Sequence, residues 1–311
     1  MSIHRRRFLQ TTATTTAAFM LSSLESFADL SPAITGPGET GYELIILATN
    51  WGFTGSIDQF CAAAKKEGYD GIEVWWPTGQ KEQDELFTAL KKHKLAVGFL
   101  CGGSQAEQPA HLKTFMEMVT AATTQTIQKP LYINCHSGRD HFSQELNRPF
   151  IEFTNRQSVK TGIPICHETH RGRMLFAAHV TRAFIKEYAD LRLTFDVSHW
   201  CNVHESMLAD QAETVAIALE RVSHIHARIG HPEGPQVNDP RAPEWADVLK
   251  QHVTWWDTIV QRKKKAGERV TILTEFGPPD YMPTLAYTRQ PLADQWAINV
   301  FMMQFLRKRY Q

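Results

Sequence analysis

The sequence predicts a single (β/α)₈ TIM barrel, and two observations support this prediction. Short apolar segments alternate with longer amphipathic segments from Tyr42 to the end of the chain, and there are eight of the short ones. Strands this apolar are typical of a parallel sheet that is buried on both faces. Eight repeats also fit the roughly 250 residues that one barrel usually needs.

The predicted strands follow each other at intervals that leave room for one helix between each pair. They lie at 42–51, 71–76, 95–101, 131–136, 163–168, 192–197, 222–228 and 270–276. Ser56 and Gly68 have the positions of an N-cap and a stop for the first helix, and residues 293–310 predict a closing helix. An open doubly wound sheet is the alternative fold, but it requires G-x-G-x-x-G after its first strand, where this chain has NWGFTGS.

The N-terminal residues predict an export signal rather than part of the barrel. Residues 1–28 combine a basic start, a weakly apolar middle and a small residue at Ala28. RRRFL at 5–9 fits the twin-arginine pattern, which predicts export to the periplasm. We therefore expect a signal peptide at 1–28, a linker at 29–41 and the barrel at 42–311. The sequence has no apolar run of about 18 residues or more, so we expect no membrane span.

Composition argues against nucleic acid as a partner. The 33 basic and 33 acidic residues give a formal net charge of zero, whereas nucleic-acid-binding proteins usually have a basic surplus. The five cysteines are an odd number without CxxC spacing, so we expect small buried side chains rather than a disulfide framework.

Four successive strands end in residues that can bind a metal ion. Glu168 ends the fifth predicted strand, Asp196 the sixth, His226 lies near the end of the seventh, and Glu275 near the end of the eighth. Because strand ends meet at the C-terminal face of a barrel, these side chains are expected to converge. Three carboxylates would repel each other without a cation. Oxygen-rich ligation with one imidazole indicates one divalent ion, Mn²⁺, Co²⁺ or Mg²⁺, with Zn²⁺ as a further possibility.

Other polar and aromatic side chains near the strand ends predict a carbohydrate pocket around this site. Imidazole, carboxylate and guanidinium groups can bind the hydroxyls of a sugar, and indole rings can stack on its apolar face. The predicted substrate-binding residues are Trp51, Glu73, Trp75, His136, His170, His199, Trp200 and Arg228.

The chain resembles the xylose-isomerase-like barrel superfamily of sugar isomerases and epimerases. The matching motifs are HET at 167–169, FDVSH at 195–199, HIHAR at 224–228 and LTEFG at 273–277. The resemblance implies that Glu168, Asp196, His226 and Glu275 bind the metal. It also implies that Glu168 and Glu275 exchange the substrate proton, as in the ketose 3-epimerase branch.

The motifs leave several activities open. The first is isomerisation or epimerisation of a keto-sugar through a metal-stabilised enediolate, and the second is β-elimination by a 3-keto-glycoside lyase or hydratase that uses the same site. An endonuclease-IV-like nuclease and a non-catalytic sugar-binding protein are weaker alternatives. The sequence makes no prediction of the oligomeric state.

Overall fold

The computed structural model describes residues 41–311, which form a closed barrel of eight parallel strands. Each strand pairs with its neighbour in chain order, and the eighth strand closes the barrel by pairing with the first over six residues. The predicted single (β/α)₈ barrel is therefore confirmed. The predicted signal peptide at 1–28 and all but the last residue of the predicted linker at 29–41 lie outside the described residues.

The strands agree with the predicted order, with shifts at their ends. They are β1 Glu43–Thr49, β2 Gly71–Trp75, β3 Ala96–Gly102, β4 Ile133–His136, β5 Ile165–Glu168, β6 Leu193–Phe195, β7 Val222–His226 and β8 Arg269–Thr274.

Helices connect the strands and surround the barrel. They are α1 Ile57–Glu67, α2 Gln80–His93, α3 Gln108–Thr124, α4 Gln144–Thr161, α5 Ala178–Glu187, α6 Val197–Val203, α7 Ala212–Leu219, α8 Ala246–Lys265 and α9 Gln295–Tyr310, with 3₁₀ turns at Ala209–Gln211 and Pro243–Trp245.

The predicted bounds of the first helix are confirmed. Ser56 caps α1 by accepting a hydrogen bond from the Gln59 backbone N–H, and the Gln59 side chain accepts in return from the Ser56 N–H. Gly68 ends the helix in the left-handed conformation, with φ at 96°. This reciprocal capping fixes the point at which the chain leaves β1 and enters α1.

The sixth strand is shorter than the sequence predicts. It ends at Phe195, and Asp196 is the N-cap of α6, where its side chain accepts a hydrogen bond from the Ser198 N–H at 3.1 Å. A carboxylate at a helix N-terminus satisfies a free backbone donor, and this favours a helix over further strand. Asp196 is thereby held at the C-terminal face of the barrel.

The core lies between the strands and the helices. All five cysteines are free and buried, as predicted. The largest fully buried side chains include Trp200, Trp256 and Phe99. Among the described residues, every helix is too short or too polar to span a lipid bilayer.

Candidate metal centre and substrate pocket

The barrel brings the four predicted metal ligands together. Glu168 is the last residue of β5, Asp196 caps α6 directly after β6, His226 ends β7, and Glu275 follows β8. Each side chain offers one ligand atom, and these four atoms all lie within 4.8 Å of one another. Four ligands from four successive strand ends therefore form one compact cluster.

Two atoms of this cluster have no hydrogen-bond partner. His226 Nδ1 and Glu275 Oε2 lie 2.8 Å apart, yet the described residues give neither atom a hydrogen bond of acceptable geometry. Buried polar atoms are nearly always paired in native proteins. A cation that faces both atoms would satisfy both, so the donor set fits a divalent metal. The three carboxylates and one imidazole suit Mn²⁺, Mg²⁺ or Co²⁺.

The charges around the cluster also favour a cation. Burial raises the pKa of the Asp196 carboxyl to about 6. The guanidinium of Arg228 opposes this shift, and the nearby carboxylates of Glu275 and Glu168 add to it. Burial alone would lower the pKa of His226, but the carboxylates of Glu275, Glu73 and Glu168 raise it well above its ordinary value. The carboxylates therefore favour positive charge at the centre of the cluster.

Glu168 is held in its charged form by its neighbours. Burial would raise its pKa, but the imidazoles of His136 and His226 lower the pKa well below the usual range. Asn134 Nδ2 donates to Glu168 Oε2 at 2.7 Å, and His136 Nε2 lies 3.1 Å from the same oxygen. These contacts fix the carboxylate, and Oε1 is left without a hydrogen bond from the described residues.

A pocket of about 420 Å³ opens above the cluster. Glu168 and Glu275 line it, whereas Asp196 and His226 lie behind them with no exposed surface. The other lining residues are Thr49, Asn50, Trp51, Gly52, Glu73, Val74, Trp75, Leu100, His136, His170, Arg228 and Tyr281. A ligand in this pocket would therefore meet two of the four predicted metal ligands directly.

Most of the predicted substrate-binding residues lie at this pocket. Trp51 and Trp75 are 37% and 49% exposed and form parts of its wall. The ring of His136 contacts the ring of His170 at a centroid distance of 4.7 Å. Aromatic and imidazole groups therefore line the space where a sugar would bind.

Arg228 and His199 contact the Asp196 carboxylate. Arg228 donates hydrogen bonds to Asp196 Oδ2 and, at 3.2 Å, to Ser198 Oγ, and its Nη2 lies 2.9 Å from His199 Nε2. His199 is fully buried and packs against His170 at 3.9 Å between ring centroids. Arg228 reaches the pocket, whereas His199 lies behind the lining and supports Asp196 and His170.

Glu73 lies at the floor of the pocket with its carboxylate engaged by other protein groups. The side chain is 3% exposed, and its Oε2 accepts a hydrogen bond from the Tyr132 hydroxyl at 2.8 Å. Its Oε1 lies 3.3 Å from His226 Nε2, and its Oε2 lies 3.3 Å from His224 Nε2. These contacts indicate that Glu73 orients His226. Sequence analysis did not predict this role for Glu73.

The structure does not place Trp200 at the pocket, where the sequence predicted that it would bind substrate. Trp200 lies on α6, is fully buried, and packs against Phe195 at a ring-centroid distance of 5.9 Å. Its indole N–H donates to the Leu175 carbonyl at 3.0 Å. Because Asp196 already starts a helix, the Trp200 side chain turns into the core instead of toward the pocket.

Sequence analysis missed several residues of the site. Asn134 lies two residues before His136 on β4, so strand alternation could have placed both on the same face. Tyr281 gives no such signal because it follows β8 in an irregular segment; its ring lies 4.8 Å from that of Trp51 and 4.7 Å from the Arg228 guanidinium.

The long segment after β7 supports the Glu275 side of the pocket. Gln236 accepts from the Gly277 N–H at 2.7 Å and donates to the Gly277 carbonyl at 3.1 Å. A side chain at Gly277 would collide with the Trp51 ring. These contacts hold the backbone at Gly277, two residues after Glu275, against the pocket wall.

Comparisons with known proteins establish the fold. No protein-family model and no curated protein matches the sequence. Among solved structures, the probable 3-DHS dehydratase AsbF of Bacillus anthracis matches with a TM-score of 0.54 and 15% identity, over 85% of this chain and 99% of that chain. The 3-keto-D-glucoside 4-epimerase YcjR of E. coli matches with a TM-score of 0.54 and 14% identity, over 85% of this chain and 99% of that chain.

A nuclease also has this fold. AP endonuclease family 2 of Brucella melitensis matches with a TM-score of 0.50 and 14% identity, over 76% of this chain and 93% of that chain. The described residues therefore share the TIM-barrel fold with a probable dehydratase, a keto-glucoside epimerase and an AP endonuclease.

Proposed function

We propose that the protein is a divalent-metal-dependent sugar isomerase or epimerase that acts on a keto-sugar through an enediolate. One observation carries this proposal: Glu168 and Glu275 line the same pocket from different strand ends, and their ligand atoms lie within 4.8 Å of those of Asp196 and His226. Two carboxylates thereby reach a bound sugar while the other two ligands remain buried.

A divalent metal bound by these four residues would supply the Lewis acidity that stabilises the negative charge of the enediolate. Glu168 is charged and held by Asn134 and His136 through one oxygen, so its other oxygen is available to take the proton next to the carbonyl. Glu275 lines the pocket from the end of β8 and would return to the sugar a proton that it takes up from solvent, while Glu168 releases the abstracted proton to solvent. Return on the opposite face inverts the carbon.

The solved structures of the same fold support this chemistry. One is a 4-epimerase of 3-keto-D-glucosides, and inversion at C4 beside a C3 ketone begins with loss of a proton next to a carbonyl. Another is a probable dehydratase. Both reactions are consistent with a carboxylate base beside a stabilised oxyanion.

A 3-keto-glycoside lyase or hydratase is the second candidate, and the exposed Trp75 ring favours it. This ring is 49% exposed at the pocket wall and lies 5.4 Å from the His136 ring. It offers an apolar surface for the aglycone of a glycoside, and His136 could protonate the departing oxygen. Elimination would follow the same proton removal by Glu168.

The segment after β7 makes a nuclease a weaker candidate. An endonuclease-IV-like enzyme would be expected to have D-x-H there, whereas this chain has Asp239-Pro240-Arg241. Arg241 Nη2 donates to Asp239 Oδ2 at 2.6 Å, so this carboxylate is already paired. The zero net charge likewise offers no attraction for a phosphate backbone.

Proton exchange measured by NMR tests the proposed function. The Mn²⁺-loaded protein is incubated in D₂O with a panel of ketoses and 3-keto-glucosides, and deuterium incorporation and aglycone release are followed. Exchange should fall at least 100-fold in Glu168→Gln and Glu275→Gln, with Glu85→Gln as a matched control on the exposed face of α2. Full-rate exchange in both site variants would contradict the proposal, and release of aglycone would identify the lyase.

We also propose that residues 1–28 direct export to the periplasm by the twin-arginine route. The RRRFL pattern at 5–9 supports this proposal. Fusion of residues 1–41 to a reporter, followed by cell fractionation, should place the reporter in the periplasm. Replacement of Arg5 and Arg6 by lysine should retain it in the cytoplasm, and unchanged export would contradict this route.

A further inference from the structure

We propose that Arg139 and Arg173 form an anion-binding subsite beside the pocket, so that the substrate carries a carboxylate or a phosphate group. This inference rests on the proposed function for the reaction and adds the chemical class of the substrate.

Arg173 lies in the segment after β5, partly buried beside the pocket wall. Its Nη2 is 3.4 Å from His136 Nδ1, and its Nε is buried without a hydrogen-bond partner among the described residues. Arg173 forms no salt bridge within 4.0 Å among the described residues, although the carboxylates of Glu168 and Asp140 act on it from a greater distance and raise its pKa. A partly buried guanidinium is stabilised by a bidentate anion, and among the described residues no carboxylate contacts Arg173 in this way.

Arg139 approaches the same region from the segment after β4. Its backbone carbonyl accepts from Asn147 Nδ2 at 3.0 Å, and its Nη2 donates to the Ser104 carbonyl at 3.2 Å. Arg139 likewise lacks a carboxylate partner among the described residues. The Met174 N–H donates to the Ser137 carbonyl at 3.0 Å, so the two segments that carry Arg139 and Arg173 lie side by side. Burial and repulsion by Arg139 lower the pKa of Arg173, which agrees with this arrangement.

His136 places this pair relative to the reacting carbon. One nitrogen of its ring lies 3.4 Å from Arg173 Nη2, and the other lies 3.1 Å from Glu168 Oε2. The guanidinium is therefore one imidazole ring away from the proposed base, next to the pocket-lining residue His136. An anionic group at this position would belong to a sugar carbon several bonds from the one that loses its proton.

This placement favours a keto-sugar acid or a keto-sugar phosphate over a neutral 3-keto-glycoside. Both anions can accept two parallel N–H donors from arginine. The fixed Arg139 backbone and the His136 contact of Arg173 reduce the entropy that the two side chains lose on binding.

Calorimetric titration of the Mn²⁺-loaded protein tests the subsite with three probes: D-glucuronate, D-glucose 6-phosphate and D-glucose. At least one anionic probe should bind ten times more tightly than D-glucose, and the tighter of the two identifies the anion. That preference should fall at least tenfold in Arg139→Gln and Arg173→Gln. Arg173→Lys keeps the charge and should retain part of the preference. Arg148→Gln is the matched control, because this arginine pairs with Glu187 on the surface.

Equal or undetectable binding of all three probes would overturn the subsite, as would a preference that survives both glutamine variants. Proton exchange on neutral keto-sugars would then leave the proposed function standing. Conversely, an arginine-dependent preference together with unchanged exchange in both Glu168→Gln and Glu275→Gln would support the subsite and refute the proposed function. Thermal unfolding of each variant separates loss of binding from loss of fold. If a glutamine variant is unfolded, the binding measurement is made on Arg173→Lys instead.

Discussion

Glu73 Oε1 lies 3.3 Å from His226 Nε2, so a carboxylate from β2 contacts the imidazole that β7 contributes to the candidate metal centre. The Tyr132 hydroxyl fixes the other oxygen of Glu73. The Nδ1 atom of the same imidazole is 2.8 Å from Glu275 Oε2. A carboxylate on one ring nitrogen orients the other nitrogen toward a metal and increases its basicity.

Replacement of Glu73 by glutamine should therefore weaken metal binding. The amide keeps the size of the side chain but removes the negative charge beside His226, and loss of such a partner costs about 10–100-fold in metal affinity. Titration calorimetry with Mn²⁺ on Glu73→Gln and on the surface variant Glu85→Gln measures the effect. Equal affinities in the two variants would show that Glu73 has no part in orienting the ligand.

The chain order of a barrel explains why the meeting of the four candidate ligands could be predicted from the sequence. Each strand of a parallel barrel ends on the same face, so Glu168, Asp196, His226 and Glu275 had to meet if their segments were strands. No contact between distant residues had to be known. The same reasoning placed Trp51 and Trp75 at the pocket.

Residues whose position depends on local geometry could not be predicted in this way. Trp200 follows Asp196 by four residues, and only the helix that starts at Asp196 turns the indole into the core. Glu73 had the correct strand end, but its contact with His226 crosses the barrel from β2 to β7. Sequence spacing carries no information about such a contact.

Addition of metal should stabilise the folded protein. A ligand that binds only the native state adds about 2.7 kcal/mol at a concentration 100 times its dissociation constant. For a domain of this size, this corresponds to an increase in Tm of about 5 °C. Differential scanning calorimetry with and without Mn²⁺ measures the increase, and EDTA should reverse it.

The matched variant for this measurement is Asp196→Asn, which retains the shape of the side chain and removes one ligand charge. Its Tm should respond little to Mn²⁺. A full increase in Asp196→Asn would place the bound metal outside the four-residue cluster.

The two tryptophans predicted to bind substrate should respond differently to replacement by alanine. Trp200 is fully buried, so Trp200→Ala should reduce the free energy of unfolding by about 3–5 kcal/mol. Trp75 is 49% exposed, and Trp75→Ala should change stability by no more than about 0.5 kcal/mol while it weakens sugar binding. Urea unfolding and sugar titration of both variants measure these effects. A stable Trp200→Ala protein with selectively weakened sugar binding would show that Trp200 binds substrate rather than supports the core.

Acid should destabilise the protein through His252, a buried residue of α8. Its Nε2 accepts from the Gly230 N–H at 3.2 Å and its Nδ1 lies 2.9 Å from the Val248 carbonyl, so the ring is neutral with Nδ1 as donor. Burial lowers its pKa to about 4, although the Val248 hydrogen bond opposes the shift. The unfolded chain has a histidine pKa of about 6.5, so it binds more protons than the native state between these two values.

The stability that His252 contributes is therefore complete above pH 6.5 and decreases as the pH falls toward 4. The full difference corresponds to about 3 kcal/mol. His252→Gln removes the titrating ring. Between pH 7.5 and pH 4.5, the free energy of unfolding of this variant should therefore decrease by about 2–3 kcal/mol less than that of the unaltered protein. This holds even if the variant is less stable at pH 7.5. Urea unfolding of both proteins across this pH range measures the difference. The contributions of other acid-sensitive histidines cancel in this difference, because both proteins contain them. Parallel curves for the two proteins would mean that protonation of His252 does not oppose folding.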